Sequence, residues 1–273
     1  MRTAAAGACF VAAAVAIGGC SSGPAQSDPA QTDSTQTDPV QTERFDYQLG
    51  AAYDPPGGLD TVVRDSTAEP LPGVLSICYV NGLQTQPGVE WNSDLLLRDA
   101  GGEPVVDPEW PDEYILDPGT PEKRAAIDAV IGPIIDGCAA RGFDAVEIDN
   151  LDSWTRFPES IDEDSVVALA RLYADRAHAS GIEIAQKNTP DGAVRMRDDV
   201  GFDFAVAEEC LAYDECGSYT SEYGARVYDI EYTDNLAEPF DRLCAREDRP
   251  TVTILRDRGL VSPSDPAYEY EQC

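Results

Sequence analysis

The chain has 273 residues, with 51 Asp and Glu against 19 Lys and Arg, a formal charge of −32, one histidine and eight cysteines. That balance lacks the basic footprint a phosphate backbone requires, so no nucleic-acid partner is expected, and the lone His178 argues against a histidine triad or a multi-histidine metal site. With 42% hydrophobic residues in periodic segments, the length suffices for one sizeable core.

Residues 1–20 read MRTAAAGACFVAAAVAIGGC, a single Arg2 followed by an apolar run too short for a confident membrane span. The run ends in Ile17-Gly18-Gly19-Cys20, which resembles the lipobox of bacterial lipoproteins. The resemblance implies a signal peptide over 1–19, cleavage before Cys20 and lipid on its thiol; an ordinary secretory signal is the alternative. Either way the protein is expected to be exported. As a lipoprotein it would sit on the outer face of the bacterial cell membrane, touching the membrane through the lipid anchor alone. Residues 20–43 form the next segment, nearly free of large aliphatic residues until Phe45, with a loose Gln-Thr-Asp/Asp-Pro repeat. Such a composition cannot offset chain entropy by burial, so it reads as a flexible tether. A single domain is expected over 44–273.

Within that domain, strands are predicted over 45–49, 61–64, 74–80, 145–149, 183–186, 202–207, 226–232 and 251–255, several of them continuously apolar. Helical patterns lie between. One carries Ile127, Val130, Ile131, Ile134, Ile135 and Cys138 on one face, with Pro121 in its first turn, Gly142 at its end and a kink expected at Pro133. A second carries Val166, Leu169, Leu172, Tyr173 and Ala177 and stops near Gly181. Alternating strands and helices imply parallel strands with right-handed crossovers, and eight of them fit an α/β fold of the (β/α)₈ TIM-type barrel. No G-x-G-x-x-G or G-x-x-x-x-G-K-[ST] follows a strand, so a nucleotide fold lacks its phosphate loop.

Six cysteines remain after Cys9 and Cys20: an even number in an exported chain, which points to disulfides. Fifteen pairings are possible. Cys210 with Cys216 could close a small loop, Cys244 with Cys273 would pin the C-terminal tail, and Cys78 with Cys138 would remain. Zinc is the less favoured reading, because no CxxC pair occurs.

The fourth strand ends in Glu147-Ile148-Asp149-Asn150-Leu151-Asp152, the fifth in Gln186-Lys187-Asn188, the sixth in Glu208-Glu209-Cys210 and the seventh in Asp229-Ile230-Glu231-Tyr232. With a period of two, Glu147 and Asp149 share a face. Ionisable groups recurring at the ends of apolar strands are costly unless paired or functional. Two carboxylates across a cleft are the equipment of glycoside hydrolysis. Tyr47, Tyr79, Trp154, Tyr213 and Tyr232 lie nearby in sequence and could stack on sugar faces, ordinary packing being the alternative for each.

GFDAVEIDNLDSW, AQKN, FDFAVAEECLAYDEC and VYDIEYT, with FDYQLGAAYD at the start, resemble the endo-α-1,4-polygalactosaminidases of glycoside hydrolase family 114, from about Arg44 to Cys273. The resemblance implies a (β/α)₈ barrel that cleaves internal α-1,4 linkages in galactosamine-containing polysaccharide without a metal or other cofactor. By motif position it implies Asp149 as nucleophile and Glu208 as general acid/base. Asp46, Gln48, Tyr79, Asn150, Asp152, Trp154, Lys187, Asn188 and Glu231 would line the sugar site. Strand parity alone leaves Glu208 and Glu209 open; the family motif favours Glu208. A general acid should sit beside apolar or anionic neighbours that raise its pKa. The Pro- and acid-rich stretch 83–117 departs from the family pattern and is expected to shape the groove. The partner is then a polysaccharide, with a cationic amino-sugar polymer fitting the charge, and nothing demands more than a monomer. Competing readings are a non-catalytic carbohydrate-binding lipoprotein, a hydrolase of another α-linked sugar, and a metal-assisted hydrolase using Asp149, Asp152 and Glu231.

Overall fold

Eight parallel strands follow one another across the sheet in sequence order: β1 (Phe45–Gln48), β2 (Thr61–Asp65), β3 (Leu75–Asn81), β4 (Ala145–Asp149), β5 (Glu183–Lys187), β6 (Phe204–Glu208), β7 (Val227–Tyr232) and β8 (Val252–Arg256). This is the (β/α)₈ arrangement expected from the strand pattern, in a computed structural model that describes residues 43–55 and 57–273. The signal peptide expected over 1–19, the lipidation expected at Cys20 and all but the last residue of the tether expected over 20–43 lie outside the described residues. A ninth strand, β9 (Tyr270–Gln272), joins antiparallel to β8 and was not anticipated, because three residues carry no periodicity.

The helices are α1 (Pro121–Arg141), α2 (Ser153–Arg156), α3 (Glu163–Ala179), α4 (Ala193–Arg195), α5 (Cys216–Tyr223) and α6 (Phe240–Cys244). Thr120 caps α1 by accepting from the Lys123 amide, and Gly142 ends it in the left-handed region that a residue without Cβ enters freely. The helix runs on through Pro133. Its buried face is Ile127, Ile131, Gly132, Ile135 and Cys138, while Val130 and Ile134 are half-buried. In α3, Leu172 turns outward although its neighbours Leu169 and Tyr173 are buried. Among the described residues, the links from β1 to β2 and from β2 to β3 contain no helix, so the first two crossovers are bare loops.

Side chains join the two end strands. Arg256 at the end of β8 donates to the carbonyl of Tyr47 in β1, and Gln272 of β9 accepts from the amide of Phe45. Three disulfides add covalent ties: Cys78–Cys138 between β3 and α1, Cys210–Cys216 in the loop after β6, and Cys244–Cys273 between the end of α6 and the C-terminus.

Apolar side chains divide into two clusters, as strand alternation requires. Phe45, Tyr47, Ile77, Ala145, Ala185, Phe204, Val206, Ile230 and Ile254 form one, packed inside the curled sheet. The larger one lies between the outer strand face and the helices, and includes Val146, Ile148, Ile184, Ala205 and Ala207. The inner parity continues upward to Tyr79, Glu147, Asp149, Lys187, Glu208 and Tyr232. Alternation therefore decides which polar residues reach the mouth.

Candidate active site

A cleft of about 1260 Å³ opens at the C-terminal ends of the strands, lined among others by Tyr79, Asp149, Lys187, Glu208 and Tyr232. At its floor the buried Lys187 ammonium stands 3.0 Å from Glu208 Oε2, 3.5 Å from Glu147 Oε1 and 3.9 Å from Asp149 Oδ2, and donates to Tyr47 Oη at 2.9 Å. Burial opposes the charge on Lys187, but Asp149, Glu208 and Glu147 together hold its pKa above the usual lysine range. Each carboxylate also has its own tyrosine donor. Tyr79 donates to Asp149 Oδ2 at 2.6 Å, Tyr47 to Glu147 Oε1 at 2.7 Å, and Tyr232 to Glu208 Oε1. Burial and the adjacent carboxylates push all three phenols well above their ordinary pKa, so they are neutral donors.

The two acids at the end of β6 go separate ways. Glu208 continues the inner face of Phe204 and Val206 and meets Lys187, Tyr232 and the side-chain amide of Asn188. Glu209 is taken by Arg258, which donates to both of its oxygens at 2.7 and 3.0 Å and also reaches Asp234. The Arg258 guanidinium lies 4.1 Å from the centroid of the Tyr232 ring. Turning the chain so sharply requires the left-handed backbone: Asn150 (φ 62°), Asn188 (φ 48°) and Glu209 (φ 61°) each follow directly on Asp149, Lys187 and Glu208. Asparagine tolerates this region; glutamate is strained there.

Of the residues singled out by sequence, Tyr79, Asn150, Asp152, Lys187 and Asn188 line the cleft together with Asp149 and Glu208. Asp46, Gln48, Trp154 and Glu231 do not. Asp46 and Gln48 alternate with the inner Phe45 and Tyr47 and lie in a buried network with Arg256, Arg64 and Tyr53. Trp154 packs half-buried against the helical layer, with its indole nitrogen unpartnered. Glu231 is fully buried and accepts from the Leu211 amide at 2.8 Å. The carboxylates offered as a metal set do not converge. Among the described residues the one grouping within ligand reach is Cys210, Cys216 and Asp229, and its two cysteines are bonded to each other.

The stretch 83–117 forms much of one wall. Short antiparallel bridges, Gln84 to Ile115 and Val106 to Tyr114, fold it back on itself. Arg156 pins it to the end of β4 through Asp107 (2.7 Å), Gln84 (2.8 Å) and Asn150 (2.9 Å). It brings Trp110 and Glu113 to the cleft, neither singled out from sequence because no periodic signal marks them. Trp110 is 61% exposed, and Tyr213, on the loop after β6, is 60% exposed. Arg258 and Asp234 were also missed; they sit in loops and become legible only through Glu209.

Beneath the Cys210–Cys216 loop, Asp229 and Glu231 lie two apart on β7, both fully buried, each with one oxygen lacking a partner. Burial pushes Glu231 up to about 7, and burial together with the Glu231 charge pushes Asp229 well above its ordinary value. A carboxyl whose folded pKa is raised stabilises the fold fully below its unfolded pKa, near 4.5, and that contribution is lost as pH rises through the folded value. The melting temperature is therefore expected to fall between pH 5 and pH 8. In Glu231→Gln, whose amide mimics the protonated acid, the fall should be shallower; an unchanged slope in melts followed by circular dichroism would remove this pair as its source.

No curated protein is matched in sequence. Among solved structures, the chain is similar to Aspergillus fumigatus Ega3 in complex with galactosamine, with a TM-score of 0.68 at 18% identity over 85% of this chain and 95% of that one. It is also similar to a variant of the glycoside hydrolase domain of PelA from Pseudomonas aeruginosa, with a TM-score of 0.50 at 15% identity over 81% of this chain and 96% of that one. At such identities these likenesses show a shared fold. The model of glycoside-hydrolase family GH114 matches residues 25–273. Covering the whole cleft and every strand that builds it, that match makes this chain a member of glycoside hydrolase family GH114.

Proposed function

We propose that the protein is an endo-acting, retaining glycosidase that cleaves α-1,4-linked galactosamine-containing polysaccharide, with Asp149 as nucleophile and Glu208 as general acid/base. The observation that carries the reading is the pair itself: two carboxylates from β4 and β6 at one cleft floor, both turned to the same ammonium. In the first step Asp149 attacks the anomeric carbon while Glu208 gives its proton to the leaving oxygen. In the second, Glu208 takes a proton from a water that displaces Asp149. Retaining pairs stand about 5–5.5 Å apart and inverting pairs about 6.5–9.5 Å. Asp149 Oδ2 and Glu208 Oε2 lie 3.9 and 3.0 Å from one nitrogen, so their separation cannot exceed those lengths laid end to end. That limit excludes most of the inverting range and agrees with a retaining pair.

Substrate class is argued from charge and from likeness. Nine acidic side chains line the cleft against two basic ones, Lys187 and Arg258, and both of those are already paired. A wall so charged concentrates a polymer of ammonium sugars. Ega3, whose fold the chain shares, was solved in complex with galactosamine. Trp110 and Tyr213 offer flat, exposed faces for sugar rings on the cleft wall. The N-terminal pattern ending in Cys20 supports export and a lipid anchor, which would hold the enzyme at the cell surface where such polymers lie.

Incubation with partly deacetylated α-1,4-galactosaminogalactan, chelator present throughout, is expected to release a spread of oligomers rather than single sugars. Release in a parallel incubation without chelator, and none with it, would sink the metal-free mechanism. No release with polymer binding intact would leave a carbohydrate-binding protein.

A further inference from the structure

As general acid, Glu208 must hold a proton, yet the Lys187 ammonium is 3.0 Å from its Oε2. An adjacent cation favours the carboxylate and works against that role. The anticipated apolar or anionic surroundings are absent from its direct contacts, which are Lys187, Tyr232 and Asn188. What offsets the ammonium lies one layer down.

Glu147 is fully buried and does not line the cleft, so no substrate reaches it. Its Oε1 is 3.5 Å from the same ammonium and accepts from Tyr47 Oη, which itself accepts from Lys187. Its Oε2 has no partner, a costly arrangement for a residue serving the fold alone. The ionisable groups facing it come from five strands: Tyr47 on β1, Tyr79 on β3, Asp149 on its own β4, Lys187 on β5 and Glu208 on β6.

We propose that Glu147 is a positioning residue that lets Glu208 keep its proton as the pH rises, by drawing on the Lys187 charge that separates them. The proposal rests on Glu208 acting as the general acid. Burial pushes Glu147 up to about 7, against the opposing pull of Lys187 and Tyr47. Below that pH Glu147 is neutral, and Lys187 faces Asp149 and Glu208 alone. Above it a new negative charge forms 3.5 Å from the ammonium. The ammonium is then shared among three carboxylates, and its hold on Glu208 is weaker.

Glu147→Gln tests this, because the amide has the shape of the protonated acid and stays neutral at every pH. With glutamate labelled at the carboxyl carbon, the Glu208 resonance is assigned by its loss in Glu208→Gln. In wild type its titration curve is expected to be biphasic, inflecting where Glu147 ionises. In Glu147→Gln it should titrate roughly one pH unit lower, the small end of a nearby-charge effect. The ratio of variant to wild-type kcat/KM on the deacetylated polymer should fall progressively as pH rises, with the alkaline limb displaced downward and KM little altered. A merely structural role would scale activity by one factor at all pH and leave the Glu208 curve in place. Should Glu147→Gln fail to fold, Tyr47→Phe removes the hydroxyl that joins Glu147 to Lys187 and keeps the ring; it should move Glu208 the same way by less. A single-step wild-type curve, or coincident Glu208 curves in wild type and folded variant, would overturn the proposal. Coupled titration without hydrolysis by wild type would instead remove the galactosaminidase reading and leave the coupling standing.

Discussion

Asp149→Asn and Glu208→Gln are each expected to abolish polymer cleavage for practical purposes, and to do so in distinguishable ways. Removing a nucleophile stops both half-reactions, so Asp149→Asn should lower kcat by about 10⁴-fold or more on any substrate. Removing a general acid costs roughly 10²–10⁴-fold, but only where the leaving group needs a proton. An aryl α-galactosaminide with a nitrophenolate leaving group needs none. On it, Glu208→Gln should still form the glycosyl-enzyme and then stall, giving a burst of nitrophenol equal to the enzyme present. Azide, which needs no general base, should restore turnover to Glu208→Gln and not to Asp149→Asn. Both substitutions keep the side-chain shape, and Tyr79 and Tyr232 retain an oxygen to donate to. Lys187 also keeps two of its three carboxylates in either variant, so melting temperatures should fall by less than where a buried charge loses its last partner. A nitrophenol burst from Asp149→Asn and none from Glu208→Gln would reverse the two assignments.

The largest effect on stability is expected at Arg256→Met. Arg256 is the largest fully buried side chain, and its guanidinium meets Asp46 at 2.5 Å with both groups out of solvent. It also donates to the carbonyls of Tyr47, Val261 and Glu269, so one residue links β1, β8 and the loop leading to β9. Methionine leaves those carbonyls unpaired and Asp46 buried without its cation. Stripping one partner from a buried ion pair costs about 3–5 kcal/mol. For a domain of this size that is on the order of a 10 °C fall in melting temperature. Asp46→Asn on top of Arg256→Met should recover part of the loss, since the orphaned charge goes too. The exposed pair Arg226–Glu183 is the comparison: its removal should cost no more than about 1 kcal/mol. Equal losses at the two pairs would mean that the seam between the end strands does not depend on Arg256.

Much of this was legible before any coordinates. The eight parallel strands announce themselves as apolar runs bounded by turns, and every one falls within two or three residues of its observed ends. The three disulfide pairs are the ones suggested by a short loop, a tail and the two cysteines left over, out of fifteen possible pairings. Alternation also puts Glu208, and not Glu209, on the inner face of β6, since Phe204 and Val206 belong to the inner cluster. The same rule explains Asp46, Gln48 and Glu231. Each is polar and close to a strand end, but each has the parity that points away from the mouth. Tyr47, between two of them, is the residue that reaches Glu147 and Lys187. What the sequence hid are contacts made by loops, where no period exists: Trp110 and Glu113 on the excursion, and Arg258 on Glu209. Glu147 shares a face with Asp149 in plain view, yet its relation to Lys187 appears only when β4 and β5 are set side by side.

The left-handed residues that close β4, β5 and β6 also act as a filter on what the chain can carry there. Position 188 answers to two demands. Its backbone sits at φ 48°, which suits Gly, Asn or Asp, and its side chain accepts from the Glu208 amide while its own amide reaches Glu208 Oε2. Glycine meets the first demand and glutamine the second; asparagine meets both. Position 209 is the opposite case. A glutamate at φ 61° carries roughly 1–2 kcal/mol of backbone strain that glycine would relieve. Folding by itself favours the smaller residue, and the glutamate stays because it fixes Arg258 in the cleft wall. Backbone strain and a two-fold hydrogen-bonded ion pair thus meet in a single residue, one beyond the proposed acid.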